Sequence, residues 1–499
     1  MDQKNKKIIS YFILGAIILY GFILRIYKIQ EQSYWIDEAF TINAVLETIE
    51  KGHPLLDSGE YYSRSILNTY LISSSVLLFG FNEFSTRIIS VIFGILSIYL
   101  IFILSKKTFN TNIALLASFM TSFSYWQIAW SRQARMYTQL QFFFFLSLYL
   151  FDSLLEKFSY KKLTFLSFST LAAILSHYFG YFLIVIYLLT ILCKIYKDKS
   201  LKNKIYQEVK KRLAAFYLFL ALTIFIFYKI ARDIMERIIL KDNNRFLDYI
   251  YFIKDFFPVL YILAILGLII FIFKNKKNKN KLEKAILLFV SFFVPFLTVA
   301  IVSDRILFRY IFFITPFIFI FSAYFIYFIS QNTRNKKLTF TMLSILVVIL
   351  TSSLNIRVFS FKPISHYYLE PLTPQSNFKE AYQKIKEDIA NENKIIISPY
   401  PAMDKIYLGK SDYCLFMDLG GLTTEEERKK EKEYYTNAIN IFSKNDLENI
   451  IKQNNGYIII DYMSINDKLD QEIIDFIFKQ KLIFKDEYQF NNQIWVFKF

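Results

Sequence analysis

Glycine is scarce in this sequence, 12 in 499 residues, and cysteine (2), histidine (3), tryptophan (4) and proline (9) are scarcer still. The glycine shortage constrains function most. No G-x-x-x-x-G-K-[ST] loop and no G-x-G-x-x-G turn occurs, so no backbone cradle for nucleotide phosphates is present. That argues against a nucleotide-sugar donor and against an ATP-driven pump. The cysteines, Cys193 and Cys414, fall on opposite membrane faces by the topology below and provide no disulfide framework. Metal-finger spacings and a Ser-His-Asp arrangement are also missing from the apolar part of the chain.

What the chain does have is apolar and aromatic mass: 55% hydrophobic residues, with 55 Phe and 36 Tyr. Most of the first 357 residues fall into apolar runs of roughly 17 to 24 residues, the length of helix that crosses about 30 Å of hydrocarbon. From about residue 360 the sequence turns polar and mixed. This shift predicts a membrane module over 1–359 and a soluble domain over 360–499. The net charge of +17 would suggest nucleic acid in a soluble protein, but here the lysines cluster in short loops between apolar runs, where they signal topology. No nucleic-acid partner is expected. The first run, 8–28, ends in Arg25 and Lys28 without a small-residue cleavage site, so it reads as a retained helix and not a signal peptide.

Apolar runs occur at 8–28, 86–104, 112–130, 137–154, 163–176, 178–195, 212–230, 255–273, 285–302, 306–329 and 338–357. A further run at 66–81 carries Asn68, Thr69 and three serines. If it lies along the surface within a first outer loop of 29–85, the loops at 1–7, 105–111, 155–162, 194–211, 274–284 and 330–337 share one side. Those are the lysine-rich loops, which the positive-inside rule assigns to the cytoplasm. The expected architecture is an α-helical polytopic membrane protein of about eleven spans, with its N-terminus inside and a soluble domain outside. Under this topology Asp37, Glu38, Arg64, Arg132, Arg135, His177, Arg305 and Arg309 all gather at the outer ends of spans. Charge near hydrocarbon is costly, so such groups mark pairs, cavities or ligands.

Asp37 and Glu38 follow the first span in SYWIDEAF, near the start of a predicted helix, and point about 100° apart. One carboxylate then faces the cavity while the other holds a neighbouring cation or metal. Arg64, with Tyr61 and Tyr62 beside it, is either a snorkelling interfacial cation or a clamp for a lipid phosphate. In WSRQARMYTQLQ, Arg132 and Arg135 are three apart, a spacing that puts them on one helical face with the acids or a substrate phosphate as partners. His177, in LSHYFGYF, is either a satisfied hydrogen-bonder or a ligand-facing group. Arg305 and Arg309, four apart in VSDRILFRYIFFITPF, share one face entering a span.

The acidic pair after the first span, the Arg64 loop, NEFSTRIISVIFG, SRQARMYTQLQFFFFLSLYLF, SHYFGYF and FRYIFFITPFIF together resemble the family 39 glycosyltransferases of the GT-C class over about residues 8–330. That family includes protein O-mannosyltransferases and the transferases that add aminoarabinose to lipid A. The resemblance implies a polyprenyl-phosphate sugar donor, transfer with inversion to an outer-face acceptor (lipid, glycan or protein), and a juxtamembrane helix in the first outer loop. By position it makes Asp37 the catalytic carboxylate, Glu38 its companion and Arg64 the phosphate-binding residue; independently of the resemblance, the charge on a departing phosphate calls for arginines, and Arg305 and Arg309 are expected to join Arg64 there. Tyr62, Arg132, Arg135, Tyr137 and His177 become cavity residues. Two departures are visible. Ser65-Ile66 stands where the lipid A enzymes have Pro-Pro, and Thr138-Gln139 stands where the mannosyltransferases carry an Asp. The sequence establishes no cofactor, and a divalent metal ion stays open.

In the polar segment, KIIISPY (394–400), GYIIIDY (456–462) and IWVFKF (494–499) read as strands, and 377–391, 424–438 and 468–480 as charged helices, an α/β pattern without a catalytic motif. The run EEERKKEKE (425–433) reads as a solvated helix face. A lipid-linked sugar transporter would be expected to show internal repeats and interrupted helices, and neither is evident. An oligosaccharide transferase or ligase stays open, since it needs the same outer acid and arginines.

Overall fold

The computed structural model describes residues 3–197, 246–302, 307–353, 376–389, 394–418, 429–466, 468–486 and 493–499. The run at 212–230 and Arg305 lie outside the described residues. The chain divides into two compact units, each assembled from separate stretches. One comprises Met1–Gly21, Ile95–Gln127 and Gln139–Val358, and the other Phe22–Gly94, Ile128–Thr138 and Phe359–Phe499.

The first unit is helical. Five helices among the described residues are long and apolar enough to cross a membrane: Lys4–Ile26, Glu83–Thr108, Tyr137–Glu156, Tyr178–Tyr196 and Asn280–Val302. The number becomes seven if two bent pairs, Phe246–Phe256 with Leu260–Asn275 and Phe308–Ile314 with Pro316–Gln331, each form one span. Helix Leu260–Asn275 packs tightly on Pro316–Gln331 because Gly267 lets the backbones touch. A Cβ there would sit 2.1 Å from the Phe321 carbonyl oxygen. At one end of this unit Lys107 pairs with Asp152 (2.5 Å) and Glu156 (3.0 Å), Lys284 with Glu156 (2.9 Å), and Lys194 with Glu283 (2.9 Å). Four of the lysine-rich loops thus start or finish at the same end.

The second unit begins with the last turn of α1 (Gln3–Ile26) and includes α2 (Ile36–Lys51), α3 (Ile66–Phe79) and the first part of α4 (Glu83–Thr108). At 14 residues α3 is shorter than the roughly 20 that a spanning helix needs, and it packs against α2 through Ile72 and Val76. The same unit contains a six-stranded sheet in the order β3-β2-β1-β4-β6-β5. Its strands are β1 (Ile395–Ser398), β2 (Tyr413–Leu415), β3 (Ile439–Ile441), β4 (Gly456–Asp461), β5 (Lys481–Lys485) and β6 (Ile494–Lys498). The first four are mutually parallel, and β6 runs antiparallel to β4 and β5.

Alternation along the strands gives this sheet two apolar faces. Ile396, Tyr457, Ile459, Ile494 and Val496 pack in one cluster with Ala39, Ile42 and Val45 of α2 and with helices Phe378–Ile389 and Pro401–Leu408. Ile397, Ile458, Ile460, Trp495 and Phe497 pack in a second cluster under helices Lys444–Gln453 and Gln471–Ile477. The first cluster is a shared core of α2, α3, the sheet and these two helices. Asn43 Nδ2 donates to the Ala402 carbonyl (2.9 Å), the Tyr407 hydroxyl accepts from the Tyr34 N–H (3.0 Å), and Lys405 pairs with Glu47 (2.5 Å) and Asp57 (2.6 Å).

One expected helix is absent from its described part. Residues 429–438 form an irregular turn, because the Glu433 carboxylate takes the N–H groups of Tyr435 and Thr436 (2.8 Å each) that a helix would direct to carbonyls. Residues 421–428 lie outside the described residues.

Candidate active site

The two adjacent acids divide as their 100° separation demands. Glu38 is fully buried and grips Arg87 of α4 in a two-pronged pair, Arg87 Nε to Oε1 and Nη2 to Oε2, both 2.8 Å. The Ala134 N–H donates to the same Oε1 at 2.7 Å. The remaining Arg87 protons go to the carbonyls of Ile29, Gln32 and Ser33 at 2.8–2.9 Å. This buried pair has its hydrogen bonds satisfied on both sides, the condition under which desolvated charges are tolerated. It fastens the loop after α1, the start of α2, α4 and the turn at 134 to one point.

Asp37 keeps 19% of its side chain accessible, and one of its oxygens lies 3.5 Å from Arg135 Nη2. Arg135 is held by two further bonds, Nη1 to the Asp37 carbonyl and to Thr41 Oγ1, each 2.6 Å. Buried Tyr62 reaches Thr41 with its hydroxyl (3.4 Å). Asp37, Thr41, Tyr62 and Arg135 are therefore gathered at the first turns of α2. Arg64, on the loop before α3, is exposed and makes no ion pair among the described residues. Burial alone would lower its pKa, but the phenols of Tyr435, Tyr62 and Tyr434 around it outweigh that and raise it, so the guanidinium stays charged.

Arg132 and Arg135 do not share a helical face. Residues 132–136 are a turn between helices Tyr125–Ser131 and Tyr137–Glu156, so the spacing of three has no helical meaning there. Arg132 points instead to the end of α1, donating to the carbonyls of Tyr27 (2.6 Å) and Arg25 (3.0 Å), whose helix has no further N–H groups to offer them. Tyr137 is buried against Trp130.

In the other compact unit, His177 is buried and its Nδ1 accepts from the Phe179 N–H (3.2 Å), which starts a short 3-10 turn. Its ring lies 6.3 Å from that of Tyr310, beside Arg309 on the 3-10 turn Phe308–Ile314. His177 and the Arg309 turn are thus brought together, and that turn is 3-10 where a continuous span was expected.

Sequence reading missed Arg87. The signal was present: an arginine just inside an apolar run that must have a partner. It also missed Tyr434 and Tyr435, which lie in the stretch 424–438 read as a charged helix. For a divalent metal the fit is poor. Asp37 and Glu38 each already face a guanidinium, and no group of three or more His, Cys, Asp or Glu residues that could hold an ion occurs among the described residues.

Residues 63–228 match the profile of the dolichyl-phosphate-mannose-protein mannosyltransferase family. No curated protein sequence matches the chain. Among solved structures, ArnT from Cupriavidus metallidurans bound to undecaprenyl phosphate is similar with a TM-score of 0.55 at 11% identity, over 99% of this chain and 98% of that one. The oligosaccharyltransferase of Archaeoglobus fulgidus, tethered to an acceptor peptide, gives 0.61 at 11% identity over 93% and 70%. The same enzyme in complex with Zn and sulfate gives 0.56 at 13% over 91% and 68%. The chain shares the fold of these enzymes, and the family profile is matched over residues 63–228 of it.

Proposed function

We propose that this chain is a membrane glycosyltransferase of the GT-C class that moves a sugar from a polyprenyl-phosphate donor to a hydroxyl acceptor on the extracytoplasmic face, with inversion. The observation that carries this reading is the division of labour at the start of α2: Glu38 is locked to Arg87, while Asp37 is accessible and aimed by Arg135. ArnT was captured with undecaprenyl phosphate and the archaeal enzyme with an acceptor peptide, which supports a lipid-linked donor. The acceptor belongs to the class of lipid, glycan or protein hydroxyls.

In this reading the acceptor O–H transfers its proton to Asp37 as its oxygen bonds to the anomeric carbon. The bond from that carbon to the phosphate oxygen breaks, and its electron pair leaves with the polyprenyl phosphate. Arg64, with no acid of its own among the described residues, meets the charge that develops there, and Arg305 and Arg309 are proposed as further phosphate-binding residues. Tyr62, Arg132, Arg135 and Tyr137 are assigned to substrate contacts beside Asp37, and His177 to a substrate contact in its own unit. Glu38 is a positioning residue, and no step runs through a metal. The accompanying topology has eleven spans, the N-terminus in the cytoplasm and residues 360–499 outside.

The test is transfer from radiolabelled polyprenyl-phosphate sugars by purified protein with added membranes. Asp37→Asn is expected to cut the rate by about 10²–10⁴-fold at unchanged donor KM, the usual contribution of a positioned base. Arg64→Ala is expected to raise donor KM. Full activity in both variants would remove the site assignment, and no transfer from any such donor would remove the donor class.

A further inference from the structure

The irregular turn at 431–440 is built to present two tyrosines beside Arg64. Its two ends pair as a short antiparallel bridge, Lys432 with Ile439. The Glu433 N–H donates to the Ala438 carbonyl and the Asn440 N–H to the Glu431 carbonyl, both at 2.8 Å. Inside the loop the Glu433 carboxylate collects the N–H groups of Tyr435 and Thr436 and the Thr436 hydroxyl. Burial raises its pKa, and those donated bonds offset the rise in part. Asn437 closes the turn in the left-handed region (φ 63°), which asparagine tolerates better than most residues. Its side-chain amide donates to the Asp57 carbonyl at 2.5 Å, fixing the turn to the first outer loop.

The result is a definite placement of two rings. Tyr435 stacks face to face on Phe40, with centroids 3.9 Å apart and planes within 10°. Phe40 is three residues beyond Asp37 on α2 and hence on nearly the same helical face. Tyr434 meets the Tyr435 ring edge-on at 4.9 Å and remains 38% exposed. Among the described residues neither phenol hydroxyl has a hydrogen-bond partner, although Tyr435 is buried and both phenols lie near enough to Arg64 to feel its charge. Two phenol hydroxyls without partners among the described residues, beside a guanidinium without an ion pair there, leave donors and charge in one neighbourhood.

We propose that Tyr434 and Tyr435 are donor-binding residues, their hydroxyls donating to the phosphate oxygens whose charge Arg64 neutralises. The polar C-terminal segment then supplies part of the active centre and is no separate accessory. This rests on the phosphate role assigned to Arg64.

The experiment is binding of undecaprenyl phosphate to the full-length protein in detergent, followed by ligand-induced thermal stabilisation and by donor KM. Wild type is compared with Arg64→Ala, Tyr434→Phe, Tyr435→Phe and the double Phe variant. Phenylalanine keeps the stack on Phe40, so the ligand-free melting point is expected to stay in place while each single variant binds about tenfold more weakly and the double variant about a hundredfold, the order expected for one and two hydrogen bonds to a charged group. Tyr434→Phe alone, at an exposed ring, reports on the phenol even if the double change lowers stability. Weakened binding in Arg64→Ala with wild-type binding in the Phe variants would overturn the tyrosine assignment alone. Wild-type binding in Arg64→Ala would overturn the phosphate site and this inference with it.

Discussion

Asp37 and Glu38 are chain neighbours with different work, and the difference comes from burial. Glu38 lies out of water against Arg87, so removing the cation would strand a carboxylate in an apolar setting. Arg87→Leu is therefore expected to cost about 3–5 kcal/mol. The measure is a fall in melting temperature of the detergent-solubilised protein, with Glu38→Gln in the Arg87→Leu background recovering part of it. An unchanged melting point would show that the pair holds nothing together. The split between the acids was readable from helical geometry, whereas the identity of the cation was not. The sequence offered Arg132 and Arg135 as partners, and the turn at 132–136 sends one to the end of α1 and the other to Asp37. Spacing rules presume a helix, and this segment breaks one.

Helix Pro401–Leu408 joins the sheet to α2, and its fixing point toward the sheet is a buried acid. Asp404 accepts from the hydroxyls of Tyr382 (2.5 Å), Ser398 (2.7 Å) and Ser411 (2.9 Å). Burial pushes its pKa up from 3.8 to about 7, the three hydroxyls opposing the rise and Asp412 adding to it. The folded protein therefore holds a proton that the unfolded chain releases near pH 4. This contribution is fully present below about pH 4 and is lost as pH rises toward 7, on the order of 4 kcal/mol in all. Melting curves are expected to show wild type losing stability between pH 5 and 7.5, with a flatter dependence in Asp404→Asn. Asp461, also raised by burial, leaves a residual slope. Identical slopes would remove Asp404 as the source. Three strands of this sheet fall on runs that β-rich composition marks, because alternation is a local signal. The turn at 429–438 was not legible, since its conformation depends on Glu433 folding back and on contacts with Asp57 and Phe40.

Across the whole chain, hydropathy located the apolar runs but not their bends. Runs at 255–273 and 306–329 become helix pairs broken by 105° and 51°, which a hydropathy window averages over. The meeting of Lys107, Lys194 and Lys284 with acids at one end agrees with the charge argument for a common side. The proposed orientation has a direct test in a background with both native cysteines, Cys193 and Cys414, replaced by serine. His53→Cys and Tyr178→Cys are expected to react with an impermeant maleimide in intact cells, and Lys161→Cys only after permeabilisation. The reverse pattern would invert the topology, and labelling of His53→Cys and Tyr178→Cys from different sides would separate the Asp37 and Arg309 regions.

The partnership least visible in the sequence is that of α2 with residues near 402, where Asn43 bonds a carbonyl 359 positions later. At about 5–20 residues per second, a ribosome needs on the order of 20 to 70 s to deliver that partner after α2 has emerged. Through that interval the helix bearing Asp37 is without the surface that orders it. A product terminated before residue 402 therefore leaves α2 without the bond to Ala402 and without the strands and helices that pack on its apolar face.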